Sequence, residues 1–425
     1  MNIRRGWVCL FLFTLTSINY ADRVALSVAA KPISTEFHLS NVEMGYLLSS
    51  FLWFYVFCLI PVGLLVDRYG GKVVNGFGIT LWSAATVLTG FAPNWIFMLG
   101  TRIAMGVGES TSWPASNRII REWFPASERG LANAIFGAGS AAGPAIGAIA
   151  ISWITATWGW RTGFICAGSV GFIWVVLWYF LFDKPERVGW LSQAERQKIL
   201  AERDGQNVVH LAEQPASSLW YLLKLRSVWG LFLTQGCEVY GGYMLLTWLP
   251  SYLQQAKGLS VMNAGLLTAV PFAAASIIAV GIGKLSDLWL SKDAVHSGSR
   301  RSAVALLLVG ASAFLLVPML SQLWAIILLL AGVRAMGLAG SALNFALVTD
   351  LVRNRSDIGK VTSTTVVGGN SFGLVAPILT GYVVDITGSF DGAFMVAGGL
   401  ALIGAVATLV MTRRPIMPER ALAAA

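Results

Sequence analysis

The sequence predicts an all-α polytopic membrane protein, twelve transmembrane helices arranged as two six-helix halves. Three observations predict it. First, the 425 residues are 56% hydrophobic and 12% charged, with a mean hydropathy of +0.67, whereas a soluble domain is about 45–50% apolar and about 25% charged. So little charge cannot cover a soluble protein of this size, and so much apolar mass excludes disorder. Second, twelve apolar runs each approach the roughly 20 residues that cross a bilayer. Third, Lys and Arg are divided very unequally between alternate loops.

In chain order the runs fall near 7–29, 44–66, 73–92, 94–117, 130–153 and 160–182, then near 228–250, 263–283, 302–320, 323–349, 359–384 and 392–411. The first follows Arg4 and Arg5 and contains Ser27-Val28-Ala29-Ala30, a pattern close to a signal peptide with a small-residue cleavage site. Asp22 and Arg23 interrupt the run, so it reads as an uncleaved first span. The longest polar stretch, 183–226, separates the two sets of six. The expected domains are therefore an N-terminal bundle, 1–182, a cytoplasmic central loop, 183–226, and a C-terminal bundle, 227–425. Within the loop, Ser192 and Glu195 form a capping box, which predicts a short amphipathic helix over 193–203.

Loop charge orients the chain. With both termini cytoplasmic, 24 of the 30 Lys and Arg face the cytoplasm; only Lys31, Arg161 and Lys257 face outward, and Arg23, Arg102 and Arg334 lie within spans. The expected location is a bacterial inner membrane. The net charge of +9 then reflects basic loops and calls for no nucleic acid. Cys9, Cys58, Cys166 and Cys237 sit in apolar runs without metal-ligand spacing, and His38, His210 and His296 are scattered in loops. No metal, cofactor or catalytic cluster is expected, and the chain does not read as an enzyme. The glycines from 137 to 147 are not followed by Gly-Lys-Ser/Thr, so they suit helix packing and not phosphate binding.

The halves echo each other. Gly63-Leu64-Leu65-Val66-Asp67 ends the second span and Gly283-Lys284-Leu285-Ser286-Asp287 the eighth. Arg102-Ile103-Ala104-Met105-Gly106 in the fourth is matched by Arg334-Ala335-Met336-Gly337 in the tenth. Gly139, Gly143, Pro144 and Gly147 in the fifth answer Gly369, Gly373, Pro377 and Gly381 in the eleventh. Repeats of this kind mark secondary transporters, whose sites lie near the membrane midplane.

These features resemble the major facilitator superfamily, whose signature between spans 2 and 3 is similar to Gly63-Leu64-Leu65-Val66-Asp67-Arg68-Tyr69-Gly70-Gly71-Lys72. More narrowly, the chain resembles the anion:cation symporter family. The likeness lies in Ile18-Asn19-Tyr20-Ala21-Asp22-Arg23, in the series Arg102, Gly106, Glu109, Pro114, Asn117 and Trp123-Phe124-Pro125, in Gln235 with Leu246-Thr247-Trp248-Leu249-Pro250, and in Gly368-Gly369-Asn370-Ser371-Phe372-Gly373. The resemblance covers the whole chain. It implies proton-coupled import of a small organic anion by alternating access, with sugar acids such as hexonates, hexuronates and aldarates foremost and aromatic or dicarboxylic acids as the alternative. The chain departs from the sugar-acid carriers at Ser140, where they often have glutamine, and at Glu238, where a neutral residue is expected.

A charge in mid-membrane costs about 2.5–3.5 kcal/mol on insertion scales and persists where it pairs or faces a cavity. Six such residues occur: Asp22, Arg23, Arg102, Glu109, Glu238 and Arg334. Seven residues separate Arg102 from Glu109, so both share one helix face, roughly 10 Å apart. Asp22 and Arg23 diverge by about 100°; one arrangement aims Arg23 at the cavity and Asp22 toward the fourth span. Arginine grips a carboxylate bidentately. A proton carrier needs a carboxyl that burial and a nearby arginine pull in opposite directions. Asp22 and Glu109 are the candidate proton-coupling residues. Tyr20, Arg23, Tyr55, Arg102, Gln235 and Asn370 are the candidate substrate-binding residues. In the expected mechanism, ionised Glu109 competes for arginine, and protonation yields the arginine to a substrate carboxylate. The bland alternatives are a structural ion pair for the charged set and interhelical hydrogen bonds or interfacial aromatics for the polar set. The expected partners are a small organic carboxylate, protons and the lipid bilayer, with a monomer as the working unit. An exporter of cations using Glu238, or a membrane sensor with a degenerate carrier fold, would be the other readings.

Overall fold

The computed structural model describes residues 3–204, 216–289 and 299–419. The expected histidines His210 and His296 lie outside the described residues. The elements are helical throughout: α1 (Ile3–Phe37), α2 (Asn41–Tyr69), α3 (Gly71–Gly90), α4 (Trp95–Glu109), α5 (Ser112–Trp123), α6 (Ala126–Trp158), α7 (Trp160–Leu181), α8 (Gln193–Asp204), α9 (Leu219–Lys224), α10 (Arg226–Gln255), α11 (Val261–Trp289), α12 (Ser299–Ala311), α13 (Leu323–Leu351), α14 (Ile358–Thr387) and α15 (Asp391–Met411). Short 3₁₀ turns cover Ser312–Met319 and Arg355–Asp357. The described residues contain no strand, only an isolated bridge between Val352 and Ile416.

Nine of the described helices are long and apolar enough to cross a membrane by length and composition. The other three expected spans are present as α1, the α4–α5 pair and α10: α4 and α5 are each too short, 15 and 12 residues, and α1 and α10 are too polar. These three carry five of the six intramembrane charges, Asp22, Arg23, Arg102, Glu109 and Glu238, and also Gln235. Large apolar side chains stand exposed along the spans, among them Phe57, Ile60, Phe180 and Ile386. Lipid would cover them.

The fourth span departs from the expected single helix. It breaks after Glu109, with Ser110 Oγ and Thr111 Oγ1 donating to the Val107 and Gly108 carbonyls. Pro114 has no N–H to offer the Ser110 carbonyl four residues back, so the helix cannot run straight through. Glu109 is thereby left at a helix end. The ninth span also differs, passing from α12 into the 3₁₀ segment that contains Pro318. The capping box is realised: the Ser192 N–H donates to Glu195 Oε2 at 3.1 Å and the Glu195 N–H to Ser192 Oγ at 3.2 Å, opening α8.

The chain forms two compact units, one of 1–40, 46–209 and 253–269, the other of 41–45, 210–252 and 270–425. In the first, the spaced glycines of α6 lie against α1. A Cβ on Gly139 would meet the Phe13 carbonyl, one on Gly143 the Ser17 carbonyl, and one on Gly147 would stand 2.8 Å from Ala21 Cα. Glycine is what permits that approach. In the second unit the glycines of α14 do the same for α10, with Gly368 against the Phe232 carbonyl, Gly369 against Gln235 and Gly373 against Tyr243. The repeat seen in the sequence thus becomes one packing scheme used in each unit.

At one end of the first unit, ion pairs join the helix ends. Arg118 reaches Asp67 at 3.1 Å and Glu122 at 3.0 Å, Lys72 reaches Asp183 at 3.1 Å, and Arg5 bridges Glu128 at 3.1 Å and Glu202 at 2.8 Å. Tryptophans fill the adjoining core. Trp178 stacks between Trp174 and Phe182, and Trp123 stacks on Trp190.

Candidate functional site

Two helices of the first unit carry the charged groups, α1 and α4, and α2 and α3 pack aromatic side chains around them. Arg23 on α1 and Glu109 on α4 form a buried ion pair. Arg23 Nε and Nη2 each lie 2.8 Å from the same carboxylate oxygen, Glu109 Oε2. Glu109 is wholly buried and Arg23 is 5% exposed. Asn19, one turn before Arg23 on α1, also faces Glu109. One arrangement read from the sequence aimed Arg23 at a cavity; in the structure its guanidinium engages Glu109. Ending α4 at Glu109 turns that carboxylate toward α1.

Aromatic faces enclose the arginine. The Arg23 guanidinium carbon lies 4.6 Å from the Tyr20 ring centre, 4.8 Å from Phe51 and 5.4 Å from Tyr55. Cation–π contacts of this kind are stronger where water is excluded. Arg102, 1% exposed, also lies over Phe51, at 5.8 Å. It donates to the Asp22 carbonyl at 3.5 Å and to the Met105 sulfur at 2.9 Å. The buried Asp22 side chain stands near Arg102 and the Trp82 indole. As the sequence suggested, Asp22 turns toward the α4 wall.

Phe51 was not read from the sequence. It lies over both guanidinium groups, and its carbonyl oxygen occupies the place a Cβ on Gly106 would need. A phenylalanine in an apolar helix gives no sequence signal, although Gly106 midway between Arg102 and Glu109 marked a close helix approach. Trp82 and Met105 gave no signal either.

The remaining expected residues belong to the second unit. Gln235 on α10 is tied to α13: its Nε2 donates to Ser341 Oγ at 2.6 Å, and its Oε1 accepts from Asn344 Nδ2 at 3.0 Å. Asn344 also donates to the Leu231 carbonyl at 3.2 Å. Here the interhelical alternative describes the contacts made. Asn370 is partly buried and donates to Val366 of its own helix at 3.2 Å. Arg334 lies over Phe272, 5.8 Å from the ring centre, beside Gly242. Glu238 lies near Gly340.

The arrangement in the first unit can hold a carboxylate group and change charge at one oxygen. Arg23 spends two donors on one Glu109 oxygen, and Tyr20 and Tyr55 bring hydroxyl-bearing rings to the same guanidinium.

The comparisons with known proteins agree with this architecture. Residues 12–355 match the family model of the Major Facilitator Superfamily. The probable galactarate/D-glucarate transporter GudP of Escherichia coli (strain K12) is 31% identical over 96% of this chain and 93% of its own length. The D-galactonate transporter of Escherichia coli O6:H1 (strain CFT073) is 30% identical over 96% of this chain and 95% of its own. Among solved structures, a bacterial homologue of the human lysosomal transporter Spinster, inward-facing and occupied, superposes with a TM-score of 0.74 at 19% identity, over 97% of this chain and 96% of its own. That likeness concerns the fold. With a family model matched across most of its length, two relatives at or above 30% identity over nearly the whole chain, and a helical membrane architecture to match, the chain belongs to the Major Facilitator Superfamily and is a multi-pass membrane transporter.

Proposed function

We propose that this transporter is a proton-coupled symporter that imports a small organic anion, a hexonate, hexuronate or aldarate first among them. The observation that carries the reading is the buried Arg23–Glu109 pair, with Tyr20, Phe51 and Tyr55 around the guanidinium. Relatives named for galactarate, glucarate and galactonate support the sugar-acid class. With Glu109 ionised, Arg23 is occupied. A proton on Glu109 removes the negative charge and makes the guanidinium available to a substrate carboxylate. Proton and substrate then favour one state, which is symport; by linkage, each tightens the binding of the other. Asp22 beside Arg102 is the second proton-coupling candidate. The Tyr20 and Tyr55 hydroxyls bind substrate hydroxyls, with Gln235 and Asn370 as the candidates of the second unit. The chain works as a monomer in a bacterial inner membrane with both termini cytoplasmic, as the loop charge implies.

The test uses proteoliposomes loaded with labelled D-galactonate or D-glucarate. Glu109→Gln keeps the shape of the protonated acid. It is expected to exchange labelled for unlabelled substrate at near wild-type rate, while accumulation driven by an imposed pH gradient is lost. Wild-type substrate binding weakens as pH rises, and the variant's profile is much flatter. Accumulation by Glu109→Gln at the wild-type level would overturn the assignment and transfer the role to Asp22.

A further inference from the structure

The second unit buries an acid that this mechanism does not use. Glu238 on α10 is 7% exposed, and among the described residues neither carboxylate oxygen has a hydrogen-bond partner. Room has been made for it: a Cβ on Gly340 of α13 would lie 2.5 Å from Glu238 Oε1. The carboxyl lines a small cavity of about 20 Å³ between α10, α12, α13 and α15, bounded also by Gly241, Gly242, Leu308, Arg334 and Ala397. That volume holds about one water molecule. The titratable groups on its wall are Cys237 and Glu238 from α10 and Arg334 from α13; α12, the 3₁₀ segment and α15 contribute apolar side chains only.

We propose that Glu238 carries a transported proton of its own, additional to that of the Arg23–Glu109 site. The cavity geometry selects the ion. An organic cation does not fit a space of one water. A metal cation needs several oxygen ligands, and among the described residues a single carboxylate is the one oxygen-bearing side chain on this wall. A proton needs neither volume nor further ligands: it binds one carboxylate oxygen to give the neutral acid, the form suited to an apolar site without donors. On release the carboxylate shares the cavity wall with Arg334, and a water in a cavity of this size can pass the proton on. The inference rests on the carrier reading above and deepens it. A further coupled proton offsets negative charge on the substrate, which suits a dianion such as an aldarate entering a cell that is negative inside.

Two measurements test it. The first is infrared difference spectroscopy of the wild-type protein in lipid across a pH titration, compared with Glu238→Gln and Glu238→Asp. A protonated carboxylic acid stretch is expected in the wild type, displaced in the Asp variant and missing in the Gln variant. The second is the proton-to-substrate ratio from reversal potentials in proteoliposomes. It is expected to fall by one in Glu238→Gln while substrate exchange persists, so that accumulation across one pH unit drops about tenfold. A wild-type ratio in the Gln variant, or a titrating acid band that neither substitution alters, would overturn the proposal. Should Glu238→Gln fail to fold, the Asp variant and the wild-type titration decide alone. If the wild type exchanges no sugar acid, the carrier reading fails, while the infrared arm still reports on Glu238.

Discussion

Two buried glutamates, one in each unit, show how differently an acid can be kept inside a membrane helix. Glu109 is held by Arg23 through two nitrogens on one oxygen, with Asn19 alongside. Glu238 has no hydrogen-bond partner among the described residues, and a glycine stands where a side chain would crowd it. The first is a charge matched by a charge, so removing either member strands the other. The second is tolerable without a partner when it carries a proton. A paired acid couples a proton to the ligand that competes for its arginine; an unpartnered acid takes up a proton without giving up a cation.

The largest expected effect comes from breaking the first arrangement. Arg23→Ala leaves Glu109 buried without its cation, and unfolding measurements in detergent should show a loss of about 3–5 kcal/mol. Adding Glu109→Gln to that variant should recover much of the loss, because the stranded charge is gone. Uptake stays abolished in both. Glu238→Gln should leave the melting temperature unchanged, since it replaces a neutral acid by a neutral amide. Equal destabilisation by Arg23→Ala with and without Glu109→Gln would erase the contrast between the two acids.

A middle-sized effect is expected in the polar network near Glu238. Ser341→Ala removes the acceptor of Gln235 Nε2, and a buried donor left unsatisfied costs about 1–3 kcal/mol. If Gln235 serves only as an interhelical tie, stability falls and the substrate affinity of the folded protein is untouched. If it also binds substrate, the Michaelis constant rises as well. Transport kinetics with a parallel melting curve separate the two.

The smallest effect lies at the membrane surface. Partial burial opposes ionisation of Asp183, yet bonds from the Lys184 N–H at 2.7 Å and from Lys72 at 3.1 Å outweigh it and hold the carboxyl below its ordinary value. Its contribution is therefore fully present above the ordinary aspartate range and is lost as pH falls through the lowered value. Asp183 is 35% exposed at the side chain, so Asp183→Asn should cost about 1 kcal/mol or less at neutral pH. The difference from wild type should vanish in acid; a gap that widens on acidification would contradict this.

Much of the fold was legible because lipid leaves few options: spans must be helices about 20 residues long, and every break in apolarity is conspicuous. The α8 capping box was legible because both halves of the motif lie three positions apart in one segment. The paired glycines of α6 and α14 announced close helix contact. The break after Glu109 was missed, although Ser110, Thr111 and Pro114 all favour it, because an apolar run reads as continuous when only hydropathy is followed. The six intramembrane charges stood out for the opposite reason, as costly exceptions in an apolar background.

What the sequence determined by itself was therefore composition-driven: the membrane setting, the helical class, the repeat, and which residues had to be paired or protonated. Pairing was another matter. Arg23 and Glu109 are 86 positions apart, and nothing local distinguishes Arg23 from Arg102 as the partner of Glu109. Only the tertiary placement of Arg23 on α1 beside Glu109 at the end of α4 decided it. In the same way, the sequence marks Glu238 as an unexpected acid, and only the packing of α10 against Gly340 shows that it lacks a hydrogen-bond partner among the described residues. A residue's cost is written in its chemistry, whereas its partner depends on helix packing between segments distant in the chain.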